Sequence, residues 1–495
     1  MKRFIAATAV LAAFAAYAKV EFAAPFADGM VLQREMPVRV WGTADAGEKV
    51  TVVFGGKSAE AVADASGKWM AELPAMKACK TGRTLEANGA RVSDVLVGEV
   101  WMCAGQSNTD CPIWGSSPRY RDGWGSMMLM TTDRPHVRLV KTPRTMALEP
   151  KLDVKVEWMK MTPALWNECK AGKPMPSAMG YYYALELANA LDVPVGLVDS
   201  SWGGTNVDTW TPRSGYEGLS GLEVERDWKM VPQKDWNPSM NKGPINAAHK
   251  QTSALWNGMV AVYTPMSVRG FIWYQGCSNS GEPQRYASKM KALYNGWATE
   301  FRNPGLSLYF VQLAPWGFKN IALIQEAQAE FAAAEKNAAM AVINDVGNLK
   351  DIHPNDKRTV AKRLSLHALK RNYGWKHIQN ESPVLKSWRI DGGKFVLTFS
   401  HAESFYIYNP DTTMANGFEI CGADGVWKPA KISNLKVSMR NGKPRYSGTV
   451  DGKDIVVEAE GVAEPKKLRY LYSAPWFGSL YGESGLPVGA FHIGD

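Results

Sequence analysis

The chain has 495 residues, of which 45% are hydrophobic and 21% are charged. This composition is typical of a globular protein and excludes the disordered, collagen-like and coiled-coil classes. The formal net charge is +9, but the sequence contains no run of five or six like charges, so nucleic acid is not the expected partner.

The first eighteen residues have the features of a secretory signal peptide. Lys2 and Arg3 give a positive start, residues 4–14 are almost wholly apolar, and Ala-Tyr-Ala at 16–18 provides a small-x-small cleavage site. A short membrane anchor is the alternative, but the apolar run is too short to span a bilayer. We therefore expect export to the periplasm or the medium, and no membrane span in the mature chain.

Residues 19–91 have the pattern of a small β-sandwich-like domain. Val50, Val52 and Phe54 fall on one face of a predicted strand, as in a half-buried sheet. Turn-like segments rich in Gly, Asp and Ala separate such strands, at 44–48, 55–57 and 64–68.

Residues 92–382 change character and form the predicted central domain. Five short apolar runs predict strands, at 95–103, 193–198, 268–274, 306–313 and 340–345. Helical patterns lie between them, at 178–191 with Ser177 as the cap, at 285–301 and at 321–336. The alternation predicts an α/β fold with a mostly parallel sheet covered by helices on both faces. Ligands of such sheets bind beyond the carboxyl ends of the strands.

Residues 383–495 return to strand-like alternation, for example at Phe395, Leu397 and Phe399, and predict a C-terminal β-rich domain. The chain has six cysteines, whose spacing fits no zinc site. Cys103 and Cys111 are one conceivable disulfide, but free buried thiols are the expected state.

Four short blocks carry residues suited to acyl transfer. Gly-Gln-Ser-Asn at 105–108, Ser-Trp-Gly-Gly-Thr at 201–205 and the segment 273–279 each follow a predicted strand, and Asp-Ile-His-Pro at 351–354 precedes a helix. A serine in a tight turn can attack a carbonyl, a histidine can accept its proton, and a carboxylate can hold the imidazole tautomer. Each block alone also suits a turn or a helix cap, but their combination favours a catalytic site. The sequence around Ser107 is not G-x-S-x-G, so the nucleophile-elbow pattern is not in use.

These ordered blocks resemble the sialate O-acetylesterase family of SGNH hydrolases, which remove acetyl esters from sugars. Segments 30–34 and 38–42 are similar to that family's N-terminal β-domain, and the likeness extends to Gly-Leu-Pro at 485–487. The resemblance implies a flavodoxin-like SGNH-hydrolase domain flanked by β-sandwich-like domains at both ends of the mature chain.

The resemblance also implies site residues. Ser107 would be the nucleophile and His353 the general base, and the Ser107 N–H, Gly204 and Asn279 would form the oxyanion hole. Asp351 would orient His353, although the usual SGNH spacing places the aspartate three residues before the histidine, where this chain has Lys350.

Residues near the blocks are candidates for binding substrate, because an indole face can stack on a sugar ring. The predicted substrate-binding residues are Gln106, Trp202, Gln275 and Trp316. Arg213 and Arg285 are candidates for a sialic-acid carboxylate, with a solvated surface role as the alternative. The remaining histidines are expected to be structural.

Cys277 stands where the family commonly has a glutamate, in Gln-Gly-Glu-x-Asn. With no cation beside it in sequence, it is expected to be a buried structural thiol. The sequence thus predicts a carbohydrate O-acetylesterase, acting on O-acetylated sialic acid, with no metal or cofactor. The alternatives are an acetylxylan or other plant-glycan acetylesterase, and a glycan-binding protein that has lost catalysis.

Overall fold

A computed structural model describes residues 19–113, 125–317, 320–348, 351–408, 417–441, 443–472 and 478–494. The predicted signal peptide and Lys350 lie outside these ranges. In the part of the chain so described, no helix combines the length and apolar character needed to cross a membrane, and all six cysteines are free.

The N-terminal region is built from short strands, as predicted from its alternation, and their pairing is antiparallel except that β2 pairs in parallel with the following long strand. The strands are β1 (Glu21–Phe22), β2 (Val31–Gln33), β3 (Val38–Thr43), β4 (Lys49–Phe54), β5 (Lys57–Val62), β6 (Lys68–Leu73) and β7 (Cys79–Ala87). Strands β1, β3 and β6 form one sheet, and β4 pairs with β5 and β7.

The eighth strand, β8 (Ala90–Gly105), connects this region to the rest of the molecule. It pairs with β2 and β7 near its start and enters the central sheet near its end. The predicted domain boundary between residues 91 and 92 therefore falls inside one continuous strand. The N-terminal strands and the central sheet also share one hydrophobic core.

The central sheet contains the five predicted apolar runs as parallel strands. Besides β8, the sheet contains six strands in the described ranges: β9 (Arg134–Lys141), β10 (Met159–Met161), β11 (Val195–Ser201), β12 (Gly270–Tyr274), β13 (Ser307–Val311) and β14 (Ala338–Ala341). The strand order is β10-β9-β11-β8-β12-β13-β14, and every neighbouring pair is parallel except β10 with β9.

Strand β9 was not among the predicted strands. Its sequence includes Arg138, which is 3% exposed and donates a 2.9 Å hydrogen bond to Asp94. A buried, paired arginine breaks the apolar pattern that marks a central strand, because charged side chains are rarely buried without such a partner.

Eight α-helices accompany the sheet in the described ranges. They are α1 (Ser107–Asp110), α2 (Gly125–Thr131), α3 (Ala164–Lys170), α4 (Ala178–Leu191), α5 (Glu223–Arg226), α6 (Pro283–Glu300), α7 (Ile321–Ala334) and α8 (Lys357–Arg371). The loops also contain a π-helix (Trp256–Val260) and short 3-10 helices: Asp208–Trp210, Arg213–Tyr216, Gln233–Asp235, Pro238–Met240, Ala248–Lys250, Ala261–Tyr263 and Cys277–Asn279. Ser177 caps α4 as predicted, since its Oγ accepts a 3.1 Å hydrogen bond from the Gly180 N–H.

Helices lie on both faces of the sheet, as two adjacent aromatic residues of β13 demonstrate. Tyr309 contacts His367 of α8, with ring centroids 5.7 Å apart, and Phe310 contacts Phe331 of α7 at 5.6 Å. Successive side chains of a strand point to opposite faces, so α7 and α8 cover opposite sides.

The C-terminal region is β-rich, as predicted, and has its own hydrophobic core around Phe395, Leu397 and Phe399. Its described residues form three four-stranded sheets. Their strands are β15 (Val384–Asp391), β16 (Lys394–Ser400), β17 (Phe405–Tyr408), β18 (Phe418–Cys421), β19 (Trp427–Pro429), β20 (Lys431–Ile432), β21 (Leu435–Arg440), β22 (Lys443–Val450), β23 (Ile455–Glu458), β24 (Lys467–Tyr470), β25 (Leu480–Gly482) and β26 (Phe491–Ile493).

This region touches the segment that follows β14. The Gly478 N–H donates to the Asn344 carbonyl at 2.9 Å, and the Asn344 amide donates to the Val488 carbonyl at 3.3 Å. Loop residues next to the C-terminal strands thereby hold the start of the chain segment that leads to Asp351 and His353.

Candidate active site

Ser107 lies directly beyond the carboxyl end of β8. The chain turns out of the sheet at Gly105, whose φ is +136° and where an added Cβ would lie 2.4 Å from the Tyr274 carbonyl oxygen. Only glycine fits this approach of two backbones. Ser107 then begins the short helix α1 and is partly exposed at the edge of the sheet.

The structure brings the three predicted catalytic residues into one hydrogen-bonded chain. His353 Nε2 lies 2.9 Å from Ser107 Oγ, and His353 Nδ1 lies 2.9 Å from Asp351 Oδ1. The His353 backbone N–H donates to the same Asp351 oxygen at 3.0 Å. A carboxylate that accepts from Nδ1–H leaves Nε2 free to accept the serine proton. The loop thus lets Asp351 reach the histidine at a two-residue spacing.

The surroundings of His353 keep its imidazole neutral near pH 7. Its side chain is 15% exposed, and this burial lowers its pKa below the ordinary 6.5. The Asp351 carboxylate acts in the opposite direction, and the Lys357 ammonium lowers the pKa further. A neutral histidine is the form that a general base requires.

Two residues that the sequence analysis did not single out connect the serine turn to the histidine loop. The Asn108 amide donates to the Ile352 carbonyl at 3.1 Å, and Lys357 Nζ donates to Asn108 Oδ1 at 2.7 Å. Lys357 also donates to the Pro354 carbonyl and is 1% exposed. These bonds fix the separation of Ser107 and His353.

The second block brings Gly203 close to the serine. A Cβ added at Gly203 would lie 3.4 Å from the Ser107 Cβ, and the Gly203 N–H donates to Asp110 Oδ2 at 3.1 Å. Gly204 has a φ of +73°, a left-handed conformation that favours glycine. Among the described residues, neither the Ser107 N–H nor the Gly204 N–H has an acceptor, so both are available to an oxyanion.

Asn279 is placed differently from the expectation. Its Nδ2 donates to Glu282 Oε1 at 2.9 Å and, more weakly, to Asp208 Oδ2 at 3.4 Å, and the residue is 0% exposed. An amide nitrogen has two hydrogens, and here both point to carboxylates inside the protein. Its contacts therefore assign Asn279 to a buried polar cluster, and they give no support to an oxyanion-hole role.

Beneath the serine turn lies a buried ion cluster. Lys141 Nζ is 2.9 Å from each of three oxygens, on Asp110, Asp199 and Ser201. Burial alone would lower the pKa of Lys141, but the two carboxylates raise it overall, so the ammonium is charged. The cluster fixes Asp110, and through it the Gly203 peptide.

The two predicted glutamines mainly connect the blocks to one another. Gln106 Oε1 accepts from the Gly276 N–H at 3.1 Å. Gln275 is fully buried, and its amide donates to the Thr205 carbonyl at 3.0 Å and to Asn279 Oδ1 at 2.8 Å while its oxygen accepts from a tyrosine. Gln275 is therefore a structural link and cannot contact substrate in this arrangement.

Trp202 lies at the site, with one indole face already covered. The His249 ring stacks on it at a centroid distance of 4.6 Å and an interplanar angle of 3°, and the Arg144 guanidinium carbon lies 6.0 Å from the indole centroid. His249, expected to be merely structural, is thus part of the site wall. Trp316 is half-buried in the segment after β13.

The two arginines considered for a substrate carboxylate are engaged elsewhere. Arg213 donates to the carbonyls of Arg226 and Trp228. Arg285 donates to Glu225, Glu282 and the Gly221 carbonyl.

Cys277 is partly exposed, not fully buried as expected, but its thiol is neutral, as a structural role requires. It lies in a 3-10 helix at the end of the third block, and burial raises its pKa to about 12. A neutral thiol cannot replace the charge of a carboxylate.

Comparisons with known proteins show the family of this chain. Residues 97–365 match the family described as carbohydrate esterase, sialic acid-specific acetylesterase. The sialate O-acetylesterase of Rattus norvegicus is 30% identical over 475 residues, covering 84% of this chain and 85% of the rat protein. The Homo sapiens sialate O-acetylesterase is 29% identical, covering 84% and 83%.

A solved structure also covers nearly the whole molecule. The crystal structure of a carbohydrate acetylesterase from Xanthomonas citri superposes with a TM-score of 0.78 and is 29% identical, covering 96% of this chain and 99% of that one.

Proposed function

The chain belongs to the family of sialic acid-specific acetylesterases and is a carbohydrate O-acetylesterase, and on that premise we propose that it removes acetyl groups from O-acetylated sialic acid through an acetylated Ser107. The observation that carries the mechanism is the chain of 2.9 Å contacts from Ser107 through His353 to Asp351. The sialic-acid substrate is supported by the family and by the two mammalian relatives.

In the first half of the reaction, Ser107 Oγ attacks the acetyl carbonyl while His353 Nε2 accepts the serine proton. The Asp351 carboxylate stabilises the imidazolium that forms. The N–H groups of Ser107 and Gly204 donate to the oxyanion of the tetrahedral intermediate. The intermediate collapses when the sugar oxygen leaves with the proton from His353.

In the second half, His353 accepts a proton from water, and the resulting hydroxide attacks the acetyl-enzyme. The tetrahedral intermediate forms in the same oxyanion site and then releases acetate. Ser107 recovers its proton from His353, which returns the site to its starting state.

The strand order supports a flavodoxin-like SGNH arrangement. Numbered along the chain, β8, β11, β12, β13 and β14 occur in the spatial order 2-1-3-4-5, with β9 and β10 added at one edge. In this order ligands bind where the strand connections diverge, next to the first strand. Ser107 follows β8 and the third block follows its neighbour β12, so the proposed site lies at that position. We take 92–382 as the catalytic domain between β-domains at 19–91 and 383–495.

Residues 1–18 support the further proposal that the protein is exported, to the periplasm or the medium. Fractionation of cells that produce the full chain tests it. We expect the mature protein to begin at Lys19, and a cytoplasmic protein that retains Met1 would contradict export.

Substrate class is tested by acetate release from O-acetylated sialic acid and from acetylated xylo-oligosaccharides, measured with the purified mature protein. We expect the sialic acid to be the better substrate by kcat/KM. Release mainly from the xylo-oligosaccharide would retain the mechanism and replace the substrate. Binding of either sugar without any release would instead favour a non-catalytic glycan-binding protein.

The protonation of His353 predicts a pH profile. Because burial lowers its pKa below 6.5, the neutral base persists into mildly acidic solution. We expect kcat/KM to be constant near neutrality and to fall as the pH drops through a midpoint below 6.5. The check is kcat/KM against pH, with each sample returned to neutral pH to confirm that the protein survived. An acid midpoint above pH 7 would contradict the neutral-histidine assignment.

A further inference from the structure

Arg144 lies at the mouth of the site with much of its guanidinium uncovered. We propose that Arg144 binds the carboxylate of the sugar and thereby makes the enzyme select anionic over neutral acetylated substrates. This inference rests on the proposed function and names a specificity-determining residue for it.

The position of Arg144 is fixed relative to the nucleophile by a short series of contacts. Its Nη2 donates to Asp110 Oδ2, the oxygen that also accepts from the Gly203 N–H at 3.1 Å. Gly203 is in turn the residue whose added Cβ would lie 3.4 Å from the Ser107 Cβ. The guanidinium is therefore two residues removed from the reacting serine, which suits a group on the same sugar that carries the acetyl ester.

Arg144 also has donors to spare. Its side chain is 52% exposed, whereas that of Lys141 is 11% exposed and has three oxygen partners. A guanidinium has five N–H donors, and within the described ranges the acceptor found for Arg144 is Asp110 alone. The remaining donors can form the paired hydrogen bonds with which arginine recognises carboxylates.

Arg144 also changes the net charge that a substrate carboxylate meets at the site. Asp110 and Asp199 share Lys141, so these three residues together carry one net negative charge. Arg144 brings the cluster to neutrality through its ion pair with Asp110. A carboxylate substrate therefore meets a neutral cluster with a directional donor, whereas without Arg144 it would meet like charge.

The neighbouring rings restrict where the guanidinium can point. Its carbon lies 6.0 Å from the Trp202 ring centroid, and His249 covers Trp202 by stacking. Burial, assisted by Lys250, lowers the pKa of His249, so this ring adds no charge near neutral pH. The ion pair with Asp110 and the contact with the indole together restrict the orientation of the flexible Arg144 side chain.

The test compares Arg144→Met with the wild-type protein on three esters: O-acetylated sialic acid, the methyl ester of that sugar, and 4-nitrophenyl acetate. We expect kcat/KM for the free acid to fall about 10- to 100-fold, mainly through KM, since hydrogen bonds between charged groups have that magnitude. The two neutral esters should change less than about threefold. Arg389→Met removes an exposed arginine of the C-terminal sheet and is the matched control.

The possible outcomes separate this inference from the proposed function. Equal losses on all three esters would mean that Arg144 acts only through Asp110 on the Gly203 turn, and would overturn the inference. Unchanged kinetics on the free acid would overturn it as well. A wild-type protein that hydrolyses neutral acetylated sugars but not O-acetylated sialic acid would instead overturn the proposed function, whatever the variant does.

Discussion

Ser107→Ala is expected to lower kcat by at least about 10³-fold on every acetyl ester, because the variant has no nucleophile for the first step. The residual rate would come from the Ser107 and Gly204 N–H groups, which the substitution leaves in place. Both kcat on 4-nitrophenyl acetate and acetate release from acetylated sugar should show the loss.

The same variant also tests the covalent step. Rapidly quenched wild-type protein should carry an acetyl group on the peptide that contains Ser107, and the variant should carry none. Ser107 is partly exposed, and the substitution removes one hydrogen bond, that between its Oγ and His353. The thermal unfolding midpoint should therefore stay nearly unchanged. Ser66→Ala, in an exposed N-terminal turn, is the matched control. An active Ser107→Ala protein would mean that another group attacks the ester.

The central fold could be predicted because its strands are nearly uniform in burial. The residues of β11, β12 and β13 are all buried, and such apolar runs between helical patterns identify a parallel sheet. Strand β9 was not predicted, because it contains a buried arginine, Arg138, whose ion-pair partner Asp94 comes from a distant segment. The continuity of β8 was not predicted, because its first residues are more exposed than the rest and the two parts have the sequence patterns of separate strands.

The site divides in the same way. Ser107, His353 and Asp351 could be found because each follows a strand or precedes a helix within a compact block. Arg144 and Lys357 could not, since their roles come from contacts with Asp110 and Asn108 that the sequence does not encode locally. For Asn279 the block was recognised, but the direction of its amide depends on Glu282 and Asp208, and pattern alone does not specify a direction.

Cys277 makes Asp351 more important for the charge of the site. At the position where the family commonly has a glutamate, this chain has a thiol that burial keeps neutral. No negative charge from that block can therefore help to stabilise the imidazolium. The carboxylate of Asp351 is the acidic group that hydrogen-bonds both the ring and the backbone of His353.

Asp351→Asn is therefore expected to lower kcat by about 10²- to 10⁴-fold, the range that follows from losing the orienting carboxylate of a serine–histidine pair. The amide keeps one oxygen, for which the His353 backbone N–H and the Nδ1–H would compete. If the amide nitrogen turns toward Nδ1 instead, it donates to the ring and places the proton on Nε2. In that tautomer His353 can no longer accept the proton of Ser107.

The check is kcat on 4-nitrophenyl acetate for Asp351→Asn beside Asp356→Asn. Asp356 caps α8 by accepting a 2.8 Å hydrogen bond from the Thr359 N–H, and asparagine caps helices equally well, so this control should keep its activity. The two aspartates are five positions apart, and of the two it is Asp351 that hydrogen-bonds His353. Both substitutions remove one negative charge, so a general effect of charge loss would lower kcat in both variants alike. A large loss confined to Asp351→Asn would assign the orienting role to that carboxylate. A loss of less than about threefold would mean that His353 is held in its tautomer by another group.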